Sequence, residues 1–212
     1  EIELGASAIA GVYYLAIFMI GFGFTVGSQI LIARRNGEGN YRAIGNIFYQ
    51  GIYFLMLMSL VIFILSQVFS EQILGMLVSS DRIVGAATDY IRWRVYGFFF
   101  SFIGAMFRAF FVGTTQTRTL TLNSIVMVAA NVIFNYTLIF GKFGFPAMGI
   151  AGAAIGSSLA ELVSVLFFIS YTYRKIDYRK YGLNRIPGIR TKALSQIMHI
   201  SLWTMIQNFI SL

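Results

Sequence analysis

The sequence has no cysteine and a single histidine, His199, among its 212 residues. Without thiols there is no disulfide framework, no thiolate nucleophile and no cysteine-based metal site. No constellation of histidine, cysteine and paired carboxylates is present from which a hydrolytic or metal-dependent active site is built. The composition therefore argues against an enzyme, and neither a metal nor a cofactor is expected.

Charge is also scarce, since 11% of the residues are charged, against about 25% in soluble domains. Hydrophobic residues make up 58% of the chain, and the mean hydropathy is +0.75. These values predict an integral membrane protein built of helices, because a helix satisfies all of its backbone hydrogen bonds in lipid. With about 20 residues needed to cross the bilayer, six apolar segments are predicted: 9–32, 44–68, 91–112, 120–140, 147–171 and 193–212.

The formal net charge of +8 does not indicate nucleic acid as a partner, because the basic residues lie in short runs between apolar segments. Short loops rich in lysine and arginine stay cytoplasmic. Such residues cluster after the first, third and fifth segments, which predicts that residue 1 lies outside the cytoplasm. The cytoplasmic set is Arg34, Arg35, Arg42, Arg108, Arg118, Arg174, Lys175, Arg179, Lys180, Arg185, Arg190 and Lys192.

The chain begins with Glu1 rather than methionine and closes inside an apolar segment at Leu212. No basic region with a cleavage site precedes the first apolar run, so a signal peptide is not indicated. We therefore expect a chain truncated at both ends.

The uncharged interior of the third segment is short. The interior from Val95 to Phe107 spans about 20 Å, against about 30 Å of hydrocarbon. Arg94 and Arg108 are therefore expected to extend towards opposite membrane faces as anchors.

Two asparagines in the fourth segment, Asn131 and Asn135, lie four residues apart and so on one helix face. Their amide oxygens can bind a cation, and their amides can bind a polar ligand. The alternative is that they hydrogen-bond neighbouring helices without a further function.

The fifth segment carries a single carboxylate, Glu161, beyond a ridge of small residues that contains Gly152 and Gly156. A carboxylate at such depth is either a carrier of protons or cations, or a buried acid kept neutral. Counted from the shared loop, Asn135 lies about 8 Å and Glu161 about 21 Å below the outer edge. Glu161 and the asparagines are therefore not expected to share one ligand.

The chain resembles the multidrug and toxic compound extrusion (MATE) transporters over almost its whole length. The most specific part of the resemblance is the run from Asn131 to Ala154. The other stretches that carry it are Gly5 to Ala10, Arg35 to Gly37 with Asn40 to Ala43, Ala87 to Arg92, and Arg108 to Gly113.

The resemblance implies a transporter of twelve helices in two bundles, of which this chain supplies helices two to six and the start of helix seven. It also implies alternating access driven by protons or sodium. One branch of the family couples transport through an aspartate in the first helix, a tyrosine, and an Asn with an Asp four residues later. Tyr90, Asn131 and Asn135 stand at the last three positions, and Asn135 lacks the titratable group. Glu161 matches no coupling position.

The sequence thus predicts an all-α, multi-pass membrane helix bundle, with residues 1–172 as the first bundle, 173–192 as a basic cytoplasmic linker and 193–212 as the start of the second bundle. The predicted function is export of organic cations or drugs across the bacterial inner membrane in exchange for H⁺ or Na⁺. Lipid, a small organic substrate and the missing half of the polypeptide are the expected partners. The alternatives are a flippase for lipid-linked sugars of the same fold, and a non-transporting membrane scaffold.

Overall fold

The computed structural model describes residues 1–211, apart from the side chain of Glu3, and Leu212 lies outside the described residues. The described chain is all-α, as predicted. Its helices are α1 (Ile2–Gly37), α2 (Tyr41–Leu77), α3 (Asp81–Arg94), α4 (Gly97–Gly113), α5 (Arg118–Phe140), α6 (Ile150–Lys175) and α7 (Thr191–Ile210).

Four of these helices, α1, α2, α5 and α6, are long and apolar enough to cross a membrane, and α3 with α4 makes a fifth if the bent pair is one span. The prediction of a sixth spanning segment at 193–212 is therefore not met within the described residues. Helix α7 forms, but it carries Gln196, His199, Gln207 and Asn208. These polar side chains lower its hydropathy below that of the other long helices.

The third predicted segment is two helices rather than one. Helix α3 begins at Asp81 and ends at Arg94, α4 begins at Gly97, and the two axes differ by 55°. The break at Val95 and Tyr96 lies inside the run that was expected to cross the bilayer as one straight helix.

Helix α4 lies at the centre of the bundle and packs against α1, α2 and α6. Four of its phenylalanines are fully buried: Phe98, Phe102, Phe110 and Phe111. Aromatic rings continue the core into α6, where Phe168 stacks on Phe107 at 5.3 Å between centroids. Large apolar side chains on the outside of α2 and α5 stay exposed, among them Leu57, Ile64, Val128 and Val132, as expected of a surface that faces lipid.

Helices α5 and α6 form an antiparallel pair joined by the loop 141–149. Gly141 ends α5 with φ +69°, a left-handed conformation that glycine adopts without a steric penalty. Across the pair, a Cβ atom on Gly152 would lie 2.5 Å from the carbonyl oxygen of Leu138. The absence of a side chain there lets the two backbones touch.

The segment between α6 and α7 packs against the start of α2. Tyr181 and Leu183 are buried, and the hydroxyl of Tyr49 donates a hydrogen bond to the carbonyl of Leu183. A Cβ on Gly45 would lie 2.4 Å from the carbonyl oxygen of Tyr181. The segment is therefore docked on the bundle.

Candidate functional site

A buried ion pair joins α3 to α6. Arg94 Nη2 lies 2.6 Å from Glu161 Oε1, and Arg94 Nη1 donates to Glu161 Oε2 at 2.9 Å. The two side chains are only 11% and 7% exposed. This bidentate geometry is the strong form of an arginine–carboxylate contact.

Helix α1 completes the arrangement with Tyr14. Its hydroxyl donates to the Glu161 carboxylate at 3.0 and 3.1 Å and also pairs with the hydroxyl of Ser101 in α4. The guanidinium of Arg94 lies 3.8 Å from the centroid of the Tyr14 ring, a cation–π contact. Tyr14, Arg94, Ser101 and Glu161, here called the Arg94 cluster, therefore tie together four helices.

The break between α3 and α4 leaves room for this pair. Gly97 opens α4 directly beside it, and a Cβ at that position would lie 2.4 Å from both Arg94 Nη1 and Glu161 Oε2. The hydroxyl of Ser158, one turn before Glu161 in α6, lies against the same position and is buried without a hydrogen-bond partner among the described residues.

The expectation that Arg94 extends to the membrane face is therefore wrong. Arg94 turns into the bundle, where the carboxylate of Glu161 and the ring of Tyr14 compensate its charge. Arg108, the other predicted anchor, is exposed. Glu161 is contacted by Arg94 and Tyr14. The sequence alone did not indicate Arg94 as its partner.

A cavity of about 280 Å³ opens next to the cluster, between α1, α4, α5 and α6. We call it the Glu161 cavity. In its wall, the hydroxyl of Ser164 in α6 donates a hydrogen bond to Asn123 Oδ1 in α5 at 2.8 Å. The lining combines aromatic faces with polar groups: Tyr14, Phe18, Phe22, Phe100, Ser101, Gly104, Ala105, Arg108, Leu120, Asn123, Ser124, Met127, Glu161, Ser164 and Phe168.

The two predicted asparagines contact each other. Asn135 Nδ2 donates to Asn131 Oδ1 at 2.7 Å, and Asn135 Oδ1 points at Gly156 of α6, where a Cβ would lie 2.3 Å away. That oxygen is buried and has no hydrogen-bond partner among residues 1–211. The pair is thus satisfied in part, and one acceptor has no hydrogen-bond partner among the described residues.

The third predicted residue, Tyr90, is buried in α3, one helical turn before Arg94. Helix α3 packs mainly on α1, α2 and α6, whereas the asparagines lie on α5. None of Tyr90, Asn131 and Asn135 lines the Glu161 cavity. Tyr90 thus lies on the same helix as Arg94, and the asparagine pair lies on α5.

Residues 1–137 match the MatE family, which is well over half of the chain. The chain belongs to the MatE family. Among curated MatE relatives, it is 28% identical over 201 residues to "Probable multidrug resistance protein NorM" of Synechocystis sp., covering 93% of this chain and 43% of that protein. It is 26% identical over 177 residues to "Probable multidrug resistance protein YoeA" of Bacillus subtilis, covering 81% of this chain and 38% of that protein.

Solved MatE structures share the fold. A crystal structure of MATE in the bent conformation superposes with a TM-score of 0.83 at 20% identity, covering 95% of this chain and 44% of that one. An outward-facing multidrug resistance MATE transporter gives 0.80 at 20% identity, with 94% and 43% covered. The predicted family and the all-α membrane fold are confirmed, and the family is one of transporters rather than enzymes. The chain spans about two fifths of the length of these relatives.

The residues missed from sequence, Tyr14 and Arg94, belong to other helices than Glu161. One signal pointed to a partner: a carboxylate in a membrane helix requires compensation by a cation or donor. Arg94 and Arg108 both flank the apolar interior of the third segment, and the sequence alone did not indicate the 55° bend between α3 and α4.

Proposed function

We propose that the chain forms most of the first bundle of a MATE-type exporter of the bacterial inner membrane. Residues 1–172 make the bundle, 173–192 connect it, and 193–212 begin a second bundle on the same polypeptide. The support is that the chain spans 43% of the NorM relative and contains four helices long and apolar enough to cross a membrane.

The proposed activity is export of organic cations or other drugs by alternating access, in exchange for H⁺ or Na⁺. The observation that carries it is the Glu161 cavity. Charged and polar groups line a space of about 280 Å³ between helices of membrane-spanning character. Polar groups held at such depth are costly, and they commonly mark pathways for a substrate or an ion.

The asparagine pair is proposed to bind the coupling cation or a polar part of the substrate, with Tyr90 as a further residue of the cycle. The support is the buried Asn135 Oδ1, which accepts no hydrogen bond within the described residues. Glu161 enters the proposal as a titratable residue whose carboxylate Arg94 holds at 2.6 Å.

Asn131→Ala and Asn135→Ala are each expected to reduce efflux of a cationic dye about fivefold, because losing one hydrogen bond or ligand removes about 1 kcal/mol. Efflux is measured from cells that express the full-length transporter at matched levels. The exposed Thr121→Ala on the same helix is the control and should leave efflux unchanged. Unaltered efflux in both asparagine variants would remove the pair from the mechanism.

A flippase for lipid-linked sugars is the second candidate, and the charge of the cavity favours it. Glu161 is bound by Arg94, whereas Arg108 lines the same cavity with no carboxylate within 4 Å among residues 1–211. The described wall therefore carries one unpaired positive charge, which can attract a lipid phosphate.

Transport assays in proteoliposomes distinguish the two functions. If the protein is a flippase, it should move a fluorescent lipid that carries a pyrophosphate-linked sugar, and Arg108→Gln should slow that movement about tenfold through loss of a charged contact. Efflux of the cationic dye should then be absent. Dye transport without lipid movement would eliminate the flippase.

A further inference from the structure

The segment from Ile176 to Arg190 is held on α2 by Gln50, a fully buried side chain. Its Nε2 donates to the carbonyl of Gly188 at 2.7 Å, and its Oε1 accepts from the backbone N–H of Arg190 at 2.9 Å. The hydroxyl of Tyr53 donates to the carbonyl of Pro187 at 2.5 Å. Gln50 Nε2 also donates to Asn46 Oδ1 at 3.3 Å, one turn earlier in α2. A buried amide that bonds the same backbone segment through both its nitrogen and its oxygen fixes the position of that segment.

This docking brings four arginines to one cavity of about 360 Å³. Arg42 comes from the first turn of α2, and the other three come from the docked segment. Gly182 makes the approach possible: it has φ +69°, and a Cβ there would lie 3.0 Å from the carbonyl oxygen of Arg42. The lining of this arginine cavity is Arg42, Asn46, Arg179, Gly182, Asn184, Arg185, Pro187 and Arg190.

The charges of the cavity are not balanced by protein. No acidic side chain lines it, and none of the four arginines has a carboxylate within 4 Å among the residues described. The nearest acid in sequence, Asp177, is exposed and accepts a hydrogen bond from the backbone N–H of Lys180. Like charges gathered on a fixed backbone repel one another, so the cavity favours an anion.

Phosphate is the anion that this donor set fits best. Arginine presents planar pairs of N–H groups that match phosphate oxygens, and several arginines together surround a tetrahedral group. The amides of Asn46 and Asn184 lie in the same lining and can add donors to a phosphoryl or ester oxygen.

We propose that the arginine cavity binds the phosphate group of an anionic ligand. Membrane topology accounts for basic residues on this side of the protein, but it does not require four of them to line one cavity on a docked backbone. The phosphate can come from the headgroup of an anionic lipid in the adjoining leaflet or from a soluble phosphorylated molecule. Both sources share the chemistry that the cavity recognises.

The test uses the full-length polypeptide and a charge-matched pair of variants. Arg179→Gln with Arg185→Gln removes two charges from the cavity. Arg174→Gln with Lys175→Gln removes two exposed charges close by that do not line it. Size-exclusion profiles in neutral detergent verify that both variants are folded, and neither substitution touches Gln50 or the docked backbone.

Two probes distinguish the sources. Phosphatidylglycerol retained by the protein is counted by native mass spectrometry against phosphatidylcholine, and inorganic pyrophosphate is titrated by calorimetry. We expect saturable binding of at least one probe, weakened at least about tenfold in the cavity variant and unchanged in the control variant. Binding of the lipid alone assigns a headgroup, binding of pyrophosphate alone assigns a soluble ligand, and binding of both supports recognition of phosphate as such.

Two results would overturn the proposal. One is equal weakening in the cavity variant and the control, which would mean diffuse attraction by the basic surface. The other is the absence of saturable binding of either probe to the unmodified protein.

Discussion

Arg94→Met and Glu161→Met are each expected to lower the free energy of unfolding by about 3–5 kcal/mol, because each leaves one buried charge without its partner. The double variant should recover most of that loss, since two apolar side chains of similar volume can replace a buried ion pair. The measurement is thermal unfolding of the purified protein in detergent, analysed as a double-mutant cycle.

The exposed pair Arg35 and Glu38 is the matched control. Its side chains are 27% and 49% exposed and lie 3.0 Å apart, so Glu38→Met should cost less than about 1 kcal/mol. If the single variants at Arg94 and Glu161 were no more destabilising than Glu38→Met, the buried pair would not hold α3 to α6. If the double variant were as unstable as the singles, the contacts of both side chains with Tyr14 would outweigh the pairing itself.

Gly152→Val is expected to destabilise the α5–α6 pair by about 1–3 kcal/mol through overpacking. The added Cβ would lie 2.5 Å from the carbonyl oxygen and 2.7 Å from the carbonyl carbon of Leu138. These are backbone atoms of a neighbouring helix, so the clash is relieved only by moving α5. Thermal unfolding under the same conditions gives the size of the effect.

Gly11→Ala is the control for Gly152, because nothing lies within 4 Å of a Cβ at that position in α1. It should leave stability unchanged or raise it by up to about 1 kcal/mol through helix propensity. Equal stability of the Gly152 and Gly11 variants would mean that the close approach of α5 and α6 does not depend on glycine.

The helices themselves were predictable because lipid allows few alternatives. The segment predicted at 120–140 is α5 at Arg118–Phe140, and that at 147–171 is α6 at Ile150–Lys175. Long apolar runs in hydrocarbon must satisfy their backbone groups internally, and the helix is the local structure that does so. The observed ends of these helices differ from the predicted ones by up to four residues. Tertiary packing sets these ends, because they lie in polar turns.

The candidate site was predicted only in part. The asparagine pair on one face followed from the helical repeat, and its mutual hydrogen bond at 2.7 Å agrees with that spacing. The pairing of Arg94 with Glu161 could not be predicted from the sequence, because the two residues are 67 positions apart. The apolar run of the third segment indicated a single helix, with Arg94 at its end. Basic residues together with Gly182 and Pro187 predict a linker after α6, whereas its docking on α2 depends on hydrogen bonds to Gln50, more than 130 positions earlier.

Hydropathy and local motifs are enough to identify an all-α, multi-pass membrane protein of a transporter family, because they act over short stretches of chain. The positions of the charges depend on tertiary packing. A break of two residues turned Arg94 towards Glu161, and a buried Gln50 gathered four arginines around one cavity. Both outcomes depend on contacts between distant segments, and these are set by packing geometry rather than by any local pattern.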